Sequence, residues 1–130
     1  MIDASCPFAS WFLWIASSLF LLAYALPLLF APLAWARWFR WRLPETRALT
    51  VYLGRCTGAL ACTLLVFTFR AAPHPREHRL VLEEVVVAAI LMTAVHAWGA
   101  LKRQQPWTED VEIVLYAAVA GAAWFALRSL

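Results

Sequence analysis

With 130 residues, 64% of them hydrophobic and only 15% charged, and a mean hydropathy of +0.70, the chain is too apolar for an ordinary soluble domain, which is about half apolar and a quarter charged. Its length allows one domain, and its long apolar runs point to membrane helices, because in lipid the backbone must satisfy its own polar groups. The formal net charge of +3 sits mostly at the ends of those runs, where it meets lipid head groups rather than forming a nucleic-acid face.

Residues 1–10 carry Asp3 but no Lys or Arg, and the first apolar run, residues 11–33, follows. Ala34-Trp35-Ala36 imitates a cleavage box, yet the leader is acidic and the run too long for a signal peptide, so a retained span is expected. Pro27 and Pro32 fall in its last third, where proline removes a donor and kinks or ends a helix. Ser10, Ser17 and Tyr24 recur every seven residues on one face, which is expected to point into the bundle. The next segment interleaves Trp35, Trp38 and Trp41 with Arg37, Arg40 and Arg42 and suits a short helix in the head-group region; with Trp107 these are the expected lipid-interface residues.

Pro44 opens the second span, residues 49–70, where Gly54, Gly58 and Cys62 form a small-residue packing stripe beside Arg55. A polar connection containing Pro73, His74, Pro75 and His78 leads to the third span, residues 80–101. In the tight link that follows, Thr108 is expected to cap a fourth span, residues 111–127, with Glu109 and Asp110 favoured at its N-terminus. Ala117 and Gly121 give that span a small-residue stripe of its own. The expectation is a single all-α domain over residues 1–130, an integral membrane four-helix bundle with short loops.

Interfacial tryptophans should mark span ends. Trp11, Trp14 and Trp124 mark one interface, and Trp35, Trp38, Trp41, Trp98 and Trp107 the other. The second interface also takes Arg37, Arg40, Arg42, Arg47, Lys102 and Arg103, against Arg70, Arg76, Arg79 and Arg128 opposite. That excess places both tight links in the cytoplasm and both termini outside it.

Arg55 is the deepest basic residue, and an intramembrane arginine costs roughly 3 kcal/mol on insertion scales unless it meets a partner. Up-down connectivity brings Arg55, His96 and Glu112 to comparable depth, with Tyr24 near the same level, and Glu112 is the expected counter-charge. The cluster of Arg55, Glu112, His96 and Tyr24 admits two readings. One is a pocket whose guanidinium, imidazole and carboxylate hold an anionic or carbonyl head group or relay a proton; the other is a structural ion pair with a hydrogen-bonded histidine.

Other constellations carry less. Cys6, Cys56 and Cys62 show no CxxC spacing and read as small packing residues. His74 and His78 have i,i+4 spacing, but Pro75 marks a helix start between them and no second ligand pair accompanies them. Glu83 and Glu84 project about 100° apart and cannot form a compact acid/base pair. No GxSxG, HExxH, Walker loop, GxGxxG or CxxCH occurs. No metal, cofactor or catalytic residue is therefore expected.

The stretch Leu53-Gly54-Arg55-Cys56-Thr57-Gly58-Ala59, after a proline-bearing first span and an aromatic-basic link, resembles small four-helix membrane proteins of the DoxX-like type, whose second helix often opens with an Arg-x-x-Gly-Ala pattern. The resemblance implies a four-helix bundle in a bacterial inner membrane, in a grouping that includes proteins associated with membrane redox systems. It carries over Arg55, Gly58 and Ala59; the Trp-Arg segment and Gln104-Gln105-Pro106-Trp107 fall outside it. The expected function is a small accessory or structural subunit packing within a larger integral-membrane complex for electron transfer, photosynthesis or transport, since the small-residue stripes exceed what one bundle needs. The alternative is a binder, carrier or enzyme for a lipid- or quinone-like molecule at the Arg55, His96, Glu112 and Tyr24 cluster. Expected partners are the bilayer, neighbouring membrane subunits and, on the alternative, that ligand.

Overall fold

The computed structural model describes residues 2–130, which form helices and short connections only. Four stretches, Pro7–Phe30, Ala48–Ala71, Arg79–Leu101 and Trp107–Arg128, are long and apolar enough to cross a membrane. At about 1.5 Å per residue even the shortest covers the roughly 30 Å hydrocarbon core. The chain is an all-α bundle suited to a lipid bilayer.

Proline shapes the first stretch. Pro7 opens α1 (Pro7–Phe20), where its missing N–H is no loss. Pro27 lies inside the span, where it cannot donate to the Ala23 carbonyl and its ring crowds that oxygen. The helix widens to a π turn at Leu21–Ala25, with the Leu26 N–H reaching the Leu21 carbonyl, and continues as α2 (Leu26–Phe30). The indole N–H of Trp35 donates to the Ala23 carbonyl at 3.0 Å, replacing the bond that Pro27 cannot make. Ala31 leaves the helical region ahead of Pro32, which starts α3 (Pro32–Trp38). Trp35 is thus half-buried and folded back on the first span.

Glycine decides how α4 (Ala48–Ala71) docks on that broken span. A Cβ at Gly58 would fall on the backbone of Leu29 and the Ala25 carbonyl, and one at Gly54 on the Pro32 ring. Gly58, Ala61, Leu65 and Thr68 are accordingly buried along one face. The serine face of α1 meets it: Ser17 Oγ donates to Thr68 Oγ1 at 2.7 Å, and Ser10 Oγ to the Ala72 carbonyl at 2.6 Å. α5 (Arg79–Leu101) and α6 (Trp107–Arg128) form a closely packed hairpin; α1 joins the halves by packing on both α4 and α6, whereas α4 and α5 scarcely touch.

Two similar turns close one end of the bundle. Arg40 (φ 63°) and Arg103 (φ 52°) occupy the left-handed region just past α3 and α5, a position more often given to glycine. In each turn an amide reaches back to close the helix end, Trp41 N–H to the Ala36 carbonyl at 2.9 Å and Gln104 N–H to the Gly99 carbonyl at 3.0 Å. Thr108 does not cap α6. The helix starts at Trp107, behind extended Pro106, and the Thr108 hydroxyl donates to the Phe39 carbonyl, a tertiary acceptor that displaces the local one. Glu109 and Asp110 keep their place in the first turn, where the helix dipole favours them.

At the opposite end, Asp3 accepts from the Ser5 hydroxyl at 2.7 Å and the Ser5 amide at 2.8 Å, ahead of α1. These bonds hold its carboxyl down to about 2. Because the folded value is depressed, the turn is complete above the ordinary value of 3.8 and is lost only as pH falls through about 2. The Ser5 amide proton shift should therefore stay constant on acidification through the usual carboxylate range and move only near the lower value.

Candidate functional site

Glu109 and Glu112 lie on one face of α6 because residues three apart project only about 60° apart on a helix. The hairpin register sets that face against His96 of α5, and all three side chains are buried, at 5%, 4% and 6% exposure respectively. His96 Nδ1 is 2.7 Å from the Met92 carbonyl one turn back, and since a carbonyl can only accept, Nδ1 carries a proton. Nε2 is thereby aimed at the carboxylates, 3.1 Å from Glu109 Oε2 and 3.3 Å from Glu112 Oε2.

The remaining oxygen of each carboxylate is held from another part of the chain. Trp41 Nε1–H donates to Glu109 Oε1 at 2.7 Å, and the Tyr24 hydroxyl donates to Glu112 Oε1 at 2.9 Å. The Tyr116 ring lies 5.1 Å from the imidazole, centroid to centroid. Gln105 donates to the His96 carbonyl at 3.0 Å and to Asp110 Oδ1 at 2.9 Å, tying the tight link across the hairpin end. Among the described residues no buried side-chain nitrogen or oxygen lacks a polar atom within hydrogen-bonding distance, and for His96 Nε2 that neighbour is Glu109 Oε2, itself an acceptor when ionised.

Of the residues expected to meet here, Tyr24, His96 and Glu112 do so and Arg55 does not. Arg55 is exposed on the outer face of α4, and the ion pairs among the described residues do not include it. The expected Arg55–Glu112 pair is therefore corrected. Successive helical residues project about 100° apart, so when the Gly54–Gly58 face turns inward the arginine beside it turns out.

The packing stripes part in the same way. Gly54 and Gly58 are used inside the chain and Cys62 is half-buried, whereas Ala117 and Gly121 are exposed, with nothing within 4 Å of a Cβ at Gly121. In the Trp-Arg segment, Arg37, Trp38, Arg40 and Arg42 are exposed, as is Trp107, over which the Arg40 guanidinium sits at 5.6 Å. Trp35 and Trp41 have a second role, since their indole N–H groups point inward.

Glu109, Trp41 and Gln105 belong to the site, although the sequence pattern reads them as a dipole charge, an interface anchor and a linker. The Glu-x-x-Glu spacing is the one signal that marks Glu109 in advance. Two shallow depressions flank the region, about 380 Å³ beside Trp35 and Leu53 and about 240 Å³ between Trp38 and Val111; neither is lined by His96, Glu109 or Glu112. Compared with known families, curated proteins and solved structures the chain matches none, so its own geometry carries the functional reading.

Proposed function

We propose that the chain is a small accessory subunit of a larger integral-membrane assembly. The observation that carries this reading is the position of Arg55, seven residues into α4 and exposed, which is about 10 Å along the helix. A cation facing outward there is costly, up to the roughly 3 kcal/mol of a helix-centre arginine, unless something outside the chain accepts its hydrogen bonds, and a carboxylate on a neighbouring helix is the acceptor that supplies both charge and geometry. Thr57, Ala59 and Thr63 are exposed on the same helix, and their small side chains let another backbone approach. The outward Ala117/Gly121 stripe offers a second such surface. The DoxX-like pattern, with its arginine at this place in the second helix, supports a redox-associated inner-membrane setting.

Arg55→Leu should leave the chain folded in detergent while weakening its assembly about 30-fold or more, the effect of roughly 2 kcal/mol or above for losing one member of a buried charge pair. Native mass spectrometry of the complex extracted from its own membrane measures this. A wild-type chain that travels without larger subunits would sink the reading.

A lipid- or quinone-like ligand is the second reading, and one observation favours it. The depression of about 380 Å³ is walled by Leu28, Pro32, Trp35, Leu53 and Gly54, with Arg42 among its lining residues. This suits an apolar tail beneath an anionic or carbonyl head. A lipid or quinone mass carried by an otherwise solitary chain, and lost in Leu53→Trp, would establish that reading instead.

A further inference from the structure

The centre formed by His96, Glu109 and Glu112 plays no part in that assembly contact, and its chemistry asks for a positive charge. Each of the three side chains has one polar atom engaged by an outer partner: Nδ1 by the Met92 carbonyl, Glu109 Oε1 by Trp41 and Glu112 Oε1 by Tyr24. The other atoms face one another, His96 Nε2 lying 3.1 Å from Glu109 Oε2 and 3.3 Å from Glu112 Oε2, and one ligand atom from each of the three residues lies within 4.8 Å of the others. Neither carboxylate forms an ion pair with a lysine or arginine among the described residues. With Nδ1 protonated toward Met92, three lone pairs face each other across a buried gap. Protons shared among the three atoms quench the charge pairwise, whereas a divalent cation is shared by all three atoms and cancels both carboxylate charges at once.

We propose that this centre is a binding site for a first-row divalent cation of the Zn²⁺ type, coordinated by His96 Nε2, Glu109 Oε2 and Glu112 Oε2. The N···O separations of 3.1 and 3.3 Å are close to the edge of about 3.3 Å that a tetrahedron with bonds of about 2.0 Å requires. One imidazole and two carboxylates suit a borderline cation better than Cu⁺, which prefers thiolates, or Mg²⁺ and Ca²⁺, which prefer oxygen alone. Met92, Trp41 and Tyr24 orient the ligands in the way outer partners of metal sites do. Three protein ligands leave a fourth position for water. Trp41 is exposed as well as bonded to Glu109, so the cation enters from the end of the bundle that Trp41 covers.

The test uses the full chain in detergent micelles, stripped with a chelator and titrated with Co²⁺ as the spectroscopic probe and Zn²⁺ as the competitor. One equivalent of Co²⁺ per chain, with a visible ligand-field band that Zn²⁺ bleaches, is the expected result. Glu112→Gln should weaken binding beyond the roughly 10–100-fold expected for losing an outer partner in Tyr24→Phe or Trp41→Phe. The exposed or half-buried His74 and His78 are the competing surface ligands. Replacing both, as His74→Gln/His78→Gln, should leave the stoichiometry unchanged and His96 as the one histidine, whose ¹⁵Nε2 resonance should shift on adding Zn²⁺. This last measurement leaves the centre intact, so it decides the matter even where a centre variant does not fold. Absence of saturable binding by the wild type, binding lost with His74 and His78, or an unshifted His96 resonance would each overturn the proposal; none of them bears on Arg55 or on assembly.

Discussion

Replacing Gly58 with alanine is expected to lower the unfolding free energy of the detergent-solubilised bundle by about 1–3 kcal/mol, the usual range for overpacking a tight interface. A Cβ there would fall nearest the Leu29 amide nitrogen, 2.7 Å from Leu29 Cα and 2.9 Å from the Ala25 carbonyl oxygen. These neighbours are backbone, so no change of rotamer makes room. α4 must instead back away from the π turn and α2, loosening Gly54 against Pro32 and stretching the Ser17–Thr68 hydrogen bond. Gly121→Ala is the control: nothing lies within 4 Å of its Cβ, and the gain in helix propensity makes the substitution neutral or stabilising by up to about 1 kcal/mol. Unfolding of the two variants in the same mixed micelles measures the contrast, and equal effects would show that α4 does not meet α2 through Gly58.

The second large effect lies in the polar centre. His96→Leu, measured in the presence of a chelator, is expected to destabilise the bundle by about 3–5 kcal/mol, because it leaves two buried carboxylates facing each other without the imidazole. Adding Glu109→Gln and Glu112→Gln to the same chain should recover most of that loss. The amides carry no charge, and their oxygens still accept from Trp41 and Tyr24. Full recovery would mean that the native charges contribute little net stability, which leaves their chemistry as the reason for having them. A single His96→Leu variant as stable as the wild type would instead show that water reaches the cluster despite its 4–6% exposure.

Much of the architecture was legible in the residues themselves. The four long helices fall on the four apolar runs, since a membrane span has one backbone solution and hydropathy reports it. Pro27 and Pro32 signalled the break in the first span, and the seven-residue recurrence of Ser10, Ser17 and Tyr24 signalled its inward face. Arg55 is the instructive failure. Its depth was readable, but its direction depended on which face of α4 the glycines claimed, and a rotation of about 100° separates a buried partner for Glu112 from an outward cation.

What the sequence alone determined is therefore whatever acts within one helix: span length, proline breaks, the helix-end charges at Glu109 and Asp110, and the shared face of Glu109 and Glu112. What only the tertiary structure decided is which helices meet and at what rotation. The π turn brings Tyr24 to Glu112, the left-handed turn at Arg40 accompanies Trp41 to Glu109, and the α5–α6 register sets His96 between the two carboxylates. The physical reason is range. Backbone hydrogen bonding and hydropathy act over one turn of chain, whereas Tyr24 and Glu112 lie 88 residues apart and Trp41 and Glu109 lie 68 apart; only close packing of several helices at once brings such groups to hydrogen-bonding distance.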